Sequence, residues 1–282
     1  MGVIVNFVIT ALKYTLFNIY FLIVVIPLIL LREYNRRTVG KLVTQKRLDG
    51  KTVIVTGGNT GIGYETAKEL AYRGARVILA CKNVGSGYLA KNAIIKETRN
   101  DDVEVYRLDL SSLRSIRIFA REMIDKERRL DILIFVGGIG FIKHKETSDK
   151  IPLTWQVNCI SSFLLSNLLL DLMKKTAPGK IIFISSVLHH LRCFKVENIG
   201  KPCNAISSYC NTKFATILMA NYMARKLEGT GITVNTVNPG LVNVPIIRRV
   251  QNSLIQFIFQ FIMENYGKSA EEGGSNNFDS RS

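Results

Sequence analysis

Acidic side chains are scarce in this 282-residue chain: 22 Asp and Glu stand against 38 Lys and Arg, a formal net charge of +16 at pH 7. No zinc-finger, helix-turn-helix or RNA-binding pattern accompanies that charge, and the cations are scattered instead of striped, so a nucleic-acid partner is not expected. Attraction to anionic lipid or to a phosphate-rich cofactor explains the sign more simply. Cysteine is also sparse. The five cysteines (Cys81, Cys159, Cys193, Cys203, Cys210) are odd in number and include no CxxC pair. That spacing argues against a disulfide framework and a zinc or other metal site, and it suits a reducing compartment.

Charge of either sign is missing from residues 14–31, YTLFNIYFLIVVIPLILL. As a helix this run would measure roughly 27 Å, enough to cross a bilayer core. A cleaved leader would have a shorter apolar core ending in small residues, and a buried core helix would need a protein shell, so an uncleaved anchor is expected. Arg32, Arg36, Arg37, Lys41, Lys46 and Arg47 follow the run, whereas only Lys13 precedes it. The positive-inside rule therefore puts the long C-terminal part in the cytosol, with the endoplasmic reticulum as the expected membrane. The expected organisation is an anchor over 1–31, a basic linker over 32–50, one domain over 51–272 and a disordered polar tail over 273–282.

Within the domain, apolar strand-like runs at 52–56, 76–81, 103–108, 131–136, 180–185 and 232–237 alternate with helical patterns. Several are continuous apolar runs, as in strands covered on both faces, so the expected fold is α/β with a doubly wound parallel sheet, a Rossmann fold. Residues 243–266 are apolar but interrupted by Gln and Arg, and read equally as a core-covering helix or as a lid against substrate or lipid.

Three constellations carry chemistry. Gly57-Gly58-Asn59-Thr60-Gly61-Ile62-Gly63 follows the first strand and opens a helix. Glycines there let the backbone turn sharply and approach a pyrophosphate, while the helix start presents free N–H groups. At the end of the second strand, Ala80-Cys81-Lys82-Asn83 holds no carboxylate for a ribose, and Lys82 is placed to meet a 2′-phosphate, which favours NADP (NADPH) over NAD. Asp109 and Leu110 close the third strand; Asp109 could accept from the adenine amino group or cap the next helix. Last, Tyr209 and Lys213 share a helix face at i and i+4. A neighbouring ammonium lowers the pKa of a phenol, which then serves as acid or base near neutrality. Ser186 after a buried strand could hydrogen-bond a substrate carbonyl, and Asn158 sits as a lone amide in an apolar helix.

Together these residues resemble the short-chain dehydrogenase/reductase family. The TGGNTGIG loop matches its TGxxxGxG motif, Asn158, Ser186, Tyr209 and Lys213 match its catalytic tetrad, and Asn238-Pro239-Gly240-Leu241-Val242 matches its PG motif near the nicotinamide. The resemblance covers roughly 48–274, and LACKN, LDLSS, KSAEEG and the anchor look most like its retinol dehydrogenase branch. It implies a membrane-bound, NADP-dependent oxidoreductase for retinol/retinal or another lipophilic substrate. Ser186 would bind and polarise the substrate carbonyl, Tyr209 would move the proton, and Lys213 would tune Tyr209 and hold the nicotinamide ribose. Asn158 would keep a water, and Pro239, Gly240 and Val242 would border the cofactor. A homodimer stays open.

The sequence departs from the pattern in three places. Phe135-Val136-Gly137-Gly138 replaces the family's NNAG, so apolar groups stand where Asn side chains brace the sheet. Val244 replaces a Thr, and 42 residues follow Gly240, fewer than the family's usual final helix and edge strand take up. The expectation is a sheet whose last edge strand is missing, and the rival reading is a cofactor-binding member with little or no turnover.

Overall fold

A computed structural model describes residues 2–27, 29–30, 33, 46–199, 201, 203–240, 242 and 269. Six strands, β1 (Thr52–Thr56), β2 (Arg76–Cys81), β3 (Val103–Arg107), β4 (Ile132–Phe135), β5 (Gly179–Ile184) and β6 (Ile232–Val237), form one sheet in the order β3-β2-β1-β4-β5-β6. Every pairing is parallel. The order reverses between β1 and β4, so the crevice beyond their carboxyl ends is where such a sheet binds ligands.

The helices are α1 (Gly2–Tyr20), α2 (Gly61–Tyr72), α3 (Val84–Thr98), α4 (Leu113–Lys126), α5 (Leu153–Lys175) and α6 (Ala205–Lys226). Their starts are written locally. The side chains of Asn83, Ser112 and Asn204 accept from the backbone N–H of Ser86, Ser115 and Ser207, capping α3, α4 and α6. Ser112, not Asp109, is therefore the cap of α4.

Alternate residues of each strand supply opposite faces of the sheet. Ile54, Ile78, Leu133 and Phe183 join Phe119 of α4 and Leu165 and Leu169 of α5 in one cluster. Val53, Val55, Val77, Leu79 and Ile134 join Leu70 of α2 and Ile94 of α3 in the other. Each such side chain contributes about 1.5–3 kcal/mol by leaving water, and β1 is buried along its whole length. The apolar replacement at 135 is absorbed here. Phe135 stacks on Phe183 of the neighbouring strand, with ring centroids 4.9 Å apart and planes 7° from parallel, so packing replaces the amide brace.

The helix expected over 14–31 begins earlier, at Gly2, takes in Lys13, and continues through a π-helical turn at Phe21–Val25. Of its described apolar side chains, Leu16, Phe17, Leu22 and Ile23 stand open at 58–68% exposure. Among the described residues the one helix long and apolar enough to cross a membrane is α5, but Leu165, Leu169 and Met173 put that helix in the core; Leu12–Ile23 is a shorter apolar stretch. The apolar stretch 243–266, Val244, the tail over 273–282, most of the linker and any strand pairing with the outer edge of β6 lie outside the described residues.

Candidate active site

A cavity of 840 Å³ opens at the carboxyl ends of the strands, where the sheet order reverses. Its walls include Gly57, Asn59, Thr60, Gly61 and Ile62 from the first turn, Lys82, Asp109 and Leu110 from the next two strand ends, and Ser186, Tyr209, Lys213, Pro239, Gly240 and Val242. With Val136 and Gly137 from the end of β4, the cavity gathers residues from six strand ends and α6. Gly58, Gly63 and Asn158 stand behind it.

The glycine turn is demanded by its surroundings. Gly57 has φ +67°, and a Cβ there would come within 2.8 Å of Gly137 Cα. A Cβ on Gly63 would lie 2.2 Å from the Gly57 carbonyl oxygen, so α2 must start with a hydrogen at that position. Gly137, the third residue of the FVGG stretch, provides the matching backbone, and its N–H donates to Thr56 Oγ1 at 3.2 Å. This bare backbone beside a helix start is a cradle for a pyrophosphate.

Lys82 and Asp109 hold each other. The ammonium lies 2.9 Å from Asp109 Oδ2 and donates to Ser111 Oγ at 3.4 Å, and its side chain is 70% exposed. Burial would raise the Asp109 carboxyl, but hydrogen bonds from Ser111 and the nearby Lys82 hold it below its usual range. Next to Lys82, Asn59 Nδ2 donates to Ser86 Oγ at 2.8 Å, and Asn83 also lines the cavity. The end of β2 and the residues just after it, Ala80 to Asn83, carry no acid of their own; the one acid that meets Lys82 here is Asp109, from the end of β3.

Ser186 follows β5, and its side chain accepts from Leu188 N at 3.3 Å. The Ser186 side chain lies close enough to the Tyr209 hydroxyl to pull the phenol down. Lys213, one turn along α6, is 7% exposed and donates to the Ile184 carbonyl oxygen at 2.8 Å. Its ammonium lies 5.8 Å from the centre of the Tyr209 ring. Burial pushes the Lys213 ammonium down to about 8. It pushes the Tyr209 phenol up to about 12, against the pull of Ser186. The expected lowering of the phenol by Lys213 is therefore not what this arrangement does. Desolvation outweighs it, because the ammonium is turned to Ile184.

Asn158 sits in a π-helical turn of α5, Gln156–Ile160, a distortion common near functional sites. Its Oδ1 accepts from Ile139 N at 2.9 Å, and its Nδ2 donates to the Ile139 carbonyl at 2.8 Å and to Thr212 Oγ1 at 3.1 Å. Both amide donors are thus used by protein atoms, and the side chain pins the loop after β4 to α6. Gly138 permits that approach: a Cβ there would meet Asn158 Oδ1 at 3.3 Å and Lys213 Nζ at 3.7 Å.

Other residues of the site escaped the sequence reading. Ile139, Phe141, Ile142, Leu153, Val157 and Leu188 make much of the wall apolar. Phe141 packs against Tyr209 with ring centroids 5.0 Å apart. A register for the loop after β4 would have placed Ile139, Phe141 and Ile142, and that loop has no periodicity. Thr212 looked like an ordinary helix residue, and its role appears only with Asn158 opposite.

A family profile described as short chain dehydrogenase matches residues 51–254. Human Retinol dehydrogenase 11 is 43% identical over 211 residues, 74% of this chain and 66% of that protein's length. Human Retinol dehydrogenase 13 is 40% identical over 223 residues, 78% of this chain and 67% of its own. Among solved structures, the NADP active-site complex of RhlG from Pseudomonas aeruginosa superposes with a TM-score of 0.64 at 24% identity, covering 82% of this chain and 88% of the other.

Proposed function

Because the chain belongs to the short-chain dehydrogenase family, we propose that it is an NADP(H)-dependent oxidoreductase interconverting a lipophilic alcohol and its carbonyl, with retinol/retinal as the leading pair. The observation that carries this reading is that Ser186, Tyr209 and Lys213 line one largely apolar cavity, with the Ser186 side chain acting on the phenol and Lys213 one helical turn away. The relatives' names support a retinoid substrate, and a cavity walled by Phe141, Leu153 and Leu188 suits such a chain-like apolar molecule. Lys82 beside Asn83, with no carboxylate at the end of β2, supports a 2′-phosphate.

The cradle of Gly57, Gly61 and Gly137 fits a pyrophosphate, and Lys82, Asp109, Lys213, Pro239, Gly240 and Val242 would hold the rest of the cofactor. When bound, the nicotinamide supplies or accepts the hydride. The chain's own residues move the proton. Ser186 Oγ holds the substrate oxygen at the phenol, and Tyr209 Oη donates its proton to that oxygen as the hydroxyl forms. A phenol pushed up to about 12 stays protonated at neutral pH and is still a stronger acid than the alcohol it creates. The phenolate left behind then regains its proton from solvent. Asn158 is a positioning residue, setting Ile139 and Thr212 around Lys213.

Residues 1–31 would anchor the chain in a membrane, 32–50 link it, 51–272 form the domain and 273–282 trail from it. The open apolar side chains of α1 and the basic flank that follows support a cytosolic domain. The test is NADPH fluorescence titration followed by turnover of retinal in micelles, with Tyr209→Phe alongside. Binding with turnover that the substitution abolishes is expected. Binding with no turnover by the native chain would favour the non-catalytic reading.

A further inference from the structure

Two loops carry the cavity wall outward into surface of one character. After β4, Ile142 lines the cavity and exposed Lys143, His144 and Lys145 follow it. After β5, Val187 and Leu188 line it, and the chain runs on through exposed Leu191, Arg192, Lys195, Val196, Ile199 and Lys201. Leu191 is 63% exposed, Val196 72% and Ile199 47%. Three large aliphatic groups so close in sequence and open to water mark a surface that something covers. Across 143–146 and 191–201, five Lys and Arg face only Glu146 and Glu197.

The second loop is braced, so its tips are presented and not tucked away. The Phe194 ring lies 6.3 Å from Trp155 and 5.4 Å from Phe214, and the Arg192 guanidinium sits 4.2 Å over the Phe214 ring. Each exposed aliphatic has a cation within two residues: Leu191 with Arg192, Val196 with Lys195, Ile199 with Lys201.

We propose that this rim docks on an anionic lipid surface, with Leu191, Val196 and Ile199 below the headgroups and the cations among the phosphates. Paired aliphatic and basic groups match the two layers of such a surface, apolar below and anionic above. The cavity mouth then faces the bilayer, so a lipophilic substrate passes between them without crossing water. The chain enters β1 at the end of the sheet away from the mouth, with Leu48 and Lys51 already tied to the domain by backbone hydrogen bonds. The 14 residues of 32–45 would span up to ~46 Å if extended, which matches the diameter of roughly 45 Å for a domain of this size. The purpose of the docking rests on the lipophilic-substrate reading; the docking itself is measured without turnover.

The experiment uses the full chain carrying Cys203→Ser, with a nitroxide on Cys193, in vesicles of phosphatidylcholine alone or with phosphatidylserine. Cys81 and Cys210 are buried and Cys159 half-buried, which leaves Cys193 as the exposed thiol among the described cysteines. A control places the nitroxide at Lys96→Cys in a Cys193→Ser, Cys203→Ser background, on α3 away from the mouth. Expected is a label at 193 more accessible to oxygen than to a water-soluble nickel complex on anionic vesicles, with the control water-like. Leu191→Asp/Val196→Asp/Ile199→Asp should abolish that accessibility and slow turnover of vesicle-dissolved retinal about tenfold, while a short water-soluble aldehyde is reduced as before. Water-like accessibility at 193 on both vesicles overturns the proposal. Equal insertion into neutral and anionic vesicles overturns its electrostatic half. If no carbonyl is turned over, the proposed reaction fails while the label still reads the docking.

Discussion

Lys213 donates its side-chain hydrogen bond to the carbonyl oxygen of Ile184, the last residue of β5, at 2.8 Å, and not to the Tyr209 hydroxyl one turn before it. The ammonium is thus tied to the sheet end, and the phenol is left to Ser186. Charge, burial and proton supply in the site follow from that arrangement.

Tyr209→Phe removes the donated proton and little else, since the ring keeps its packing against Phe141. Turnover should fall by about 10²–10⁴ with the NADPH dissociation constant unchanged. Stopped-flow measurement of hydride transfer checks this, and retention of full turnover would remove Tyr209 from the mechanism.

Lys213 binds its proton less tightly in the folded chain, at about 8, than at its ordinary 10.5. Between those values the unfolded chain holds more protons, so the Lys213 contribution makes stability rise with pH there, and below them its cost is constant. The gap in melting temperature between Lys213→Met and the native chain should therefore shift in favour of the native chain from about pH 8 to pH 10. A gap independent of pH would mean that the ammonium is not desolvated.

Asn158→Ala should leave Ile139 N and the Thr212 hydroxyl short of a partner, costing about 1–3 kcal/mol of stability. Because Asn158 acts through Lys213 and the loop after β4, kcat should fall with the pH profile displaced, while KM moves little. Thermal unfolding and a pH–rate profile together separate this from simple destabilisation, which would leave the profile in place.

Lys82→Ala should weaken NADPH binding by about 10–100-fold, the worth of one charge-assisted contact to a phosphate, and leave NADH binding as it was. Parallel fluorescence titrations decide it. Equal losses for both cofactors would move Lys82 from phosphate recognition to a structural tie with Asp109.

Gly63→Ala should abolish cofactor binding and lower the melting temperature, because the added Cβ would lie 2.2 Å from a carbonyl oxygen. Gly85→Ala, in the first turn of α3, would meet only Asn83 Oδ1 at 3.3 Å and should be tolerated. Differential scanning fluorimetry with and without NADPH compares the two.

The sequence alone determined the parts that depend on neighbours along the chain. The continuous apolar runs of β1 and β2 announce strands covered on both faces, and their bounds at 52–56 and 76–81 agree with the structure. The glycine turn before α2 and the i, i+4 spacing of Tyr209 and Lys213 are legible because turn and helix geometry repeat over a few residues. The start of the first helix was not legible, since a tally of uncharged positions stops at Lys13 while backbone hydrogen bonding runs past it. Tertiary structure alone decided the rest. It turned Lys213 to Ile184, gave Lys82 to Asp109, spent the Asn158 amide on Ile139 and Thr212, and stacked Phe135 on Phe183. Each of these is a choice among partners separated by tens of residues, made by desolvation and packing, to which a local pattern carries no signal.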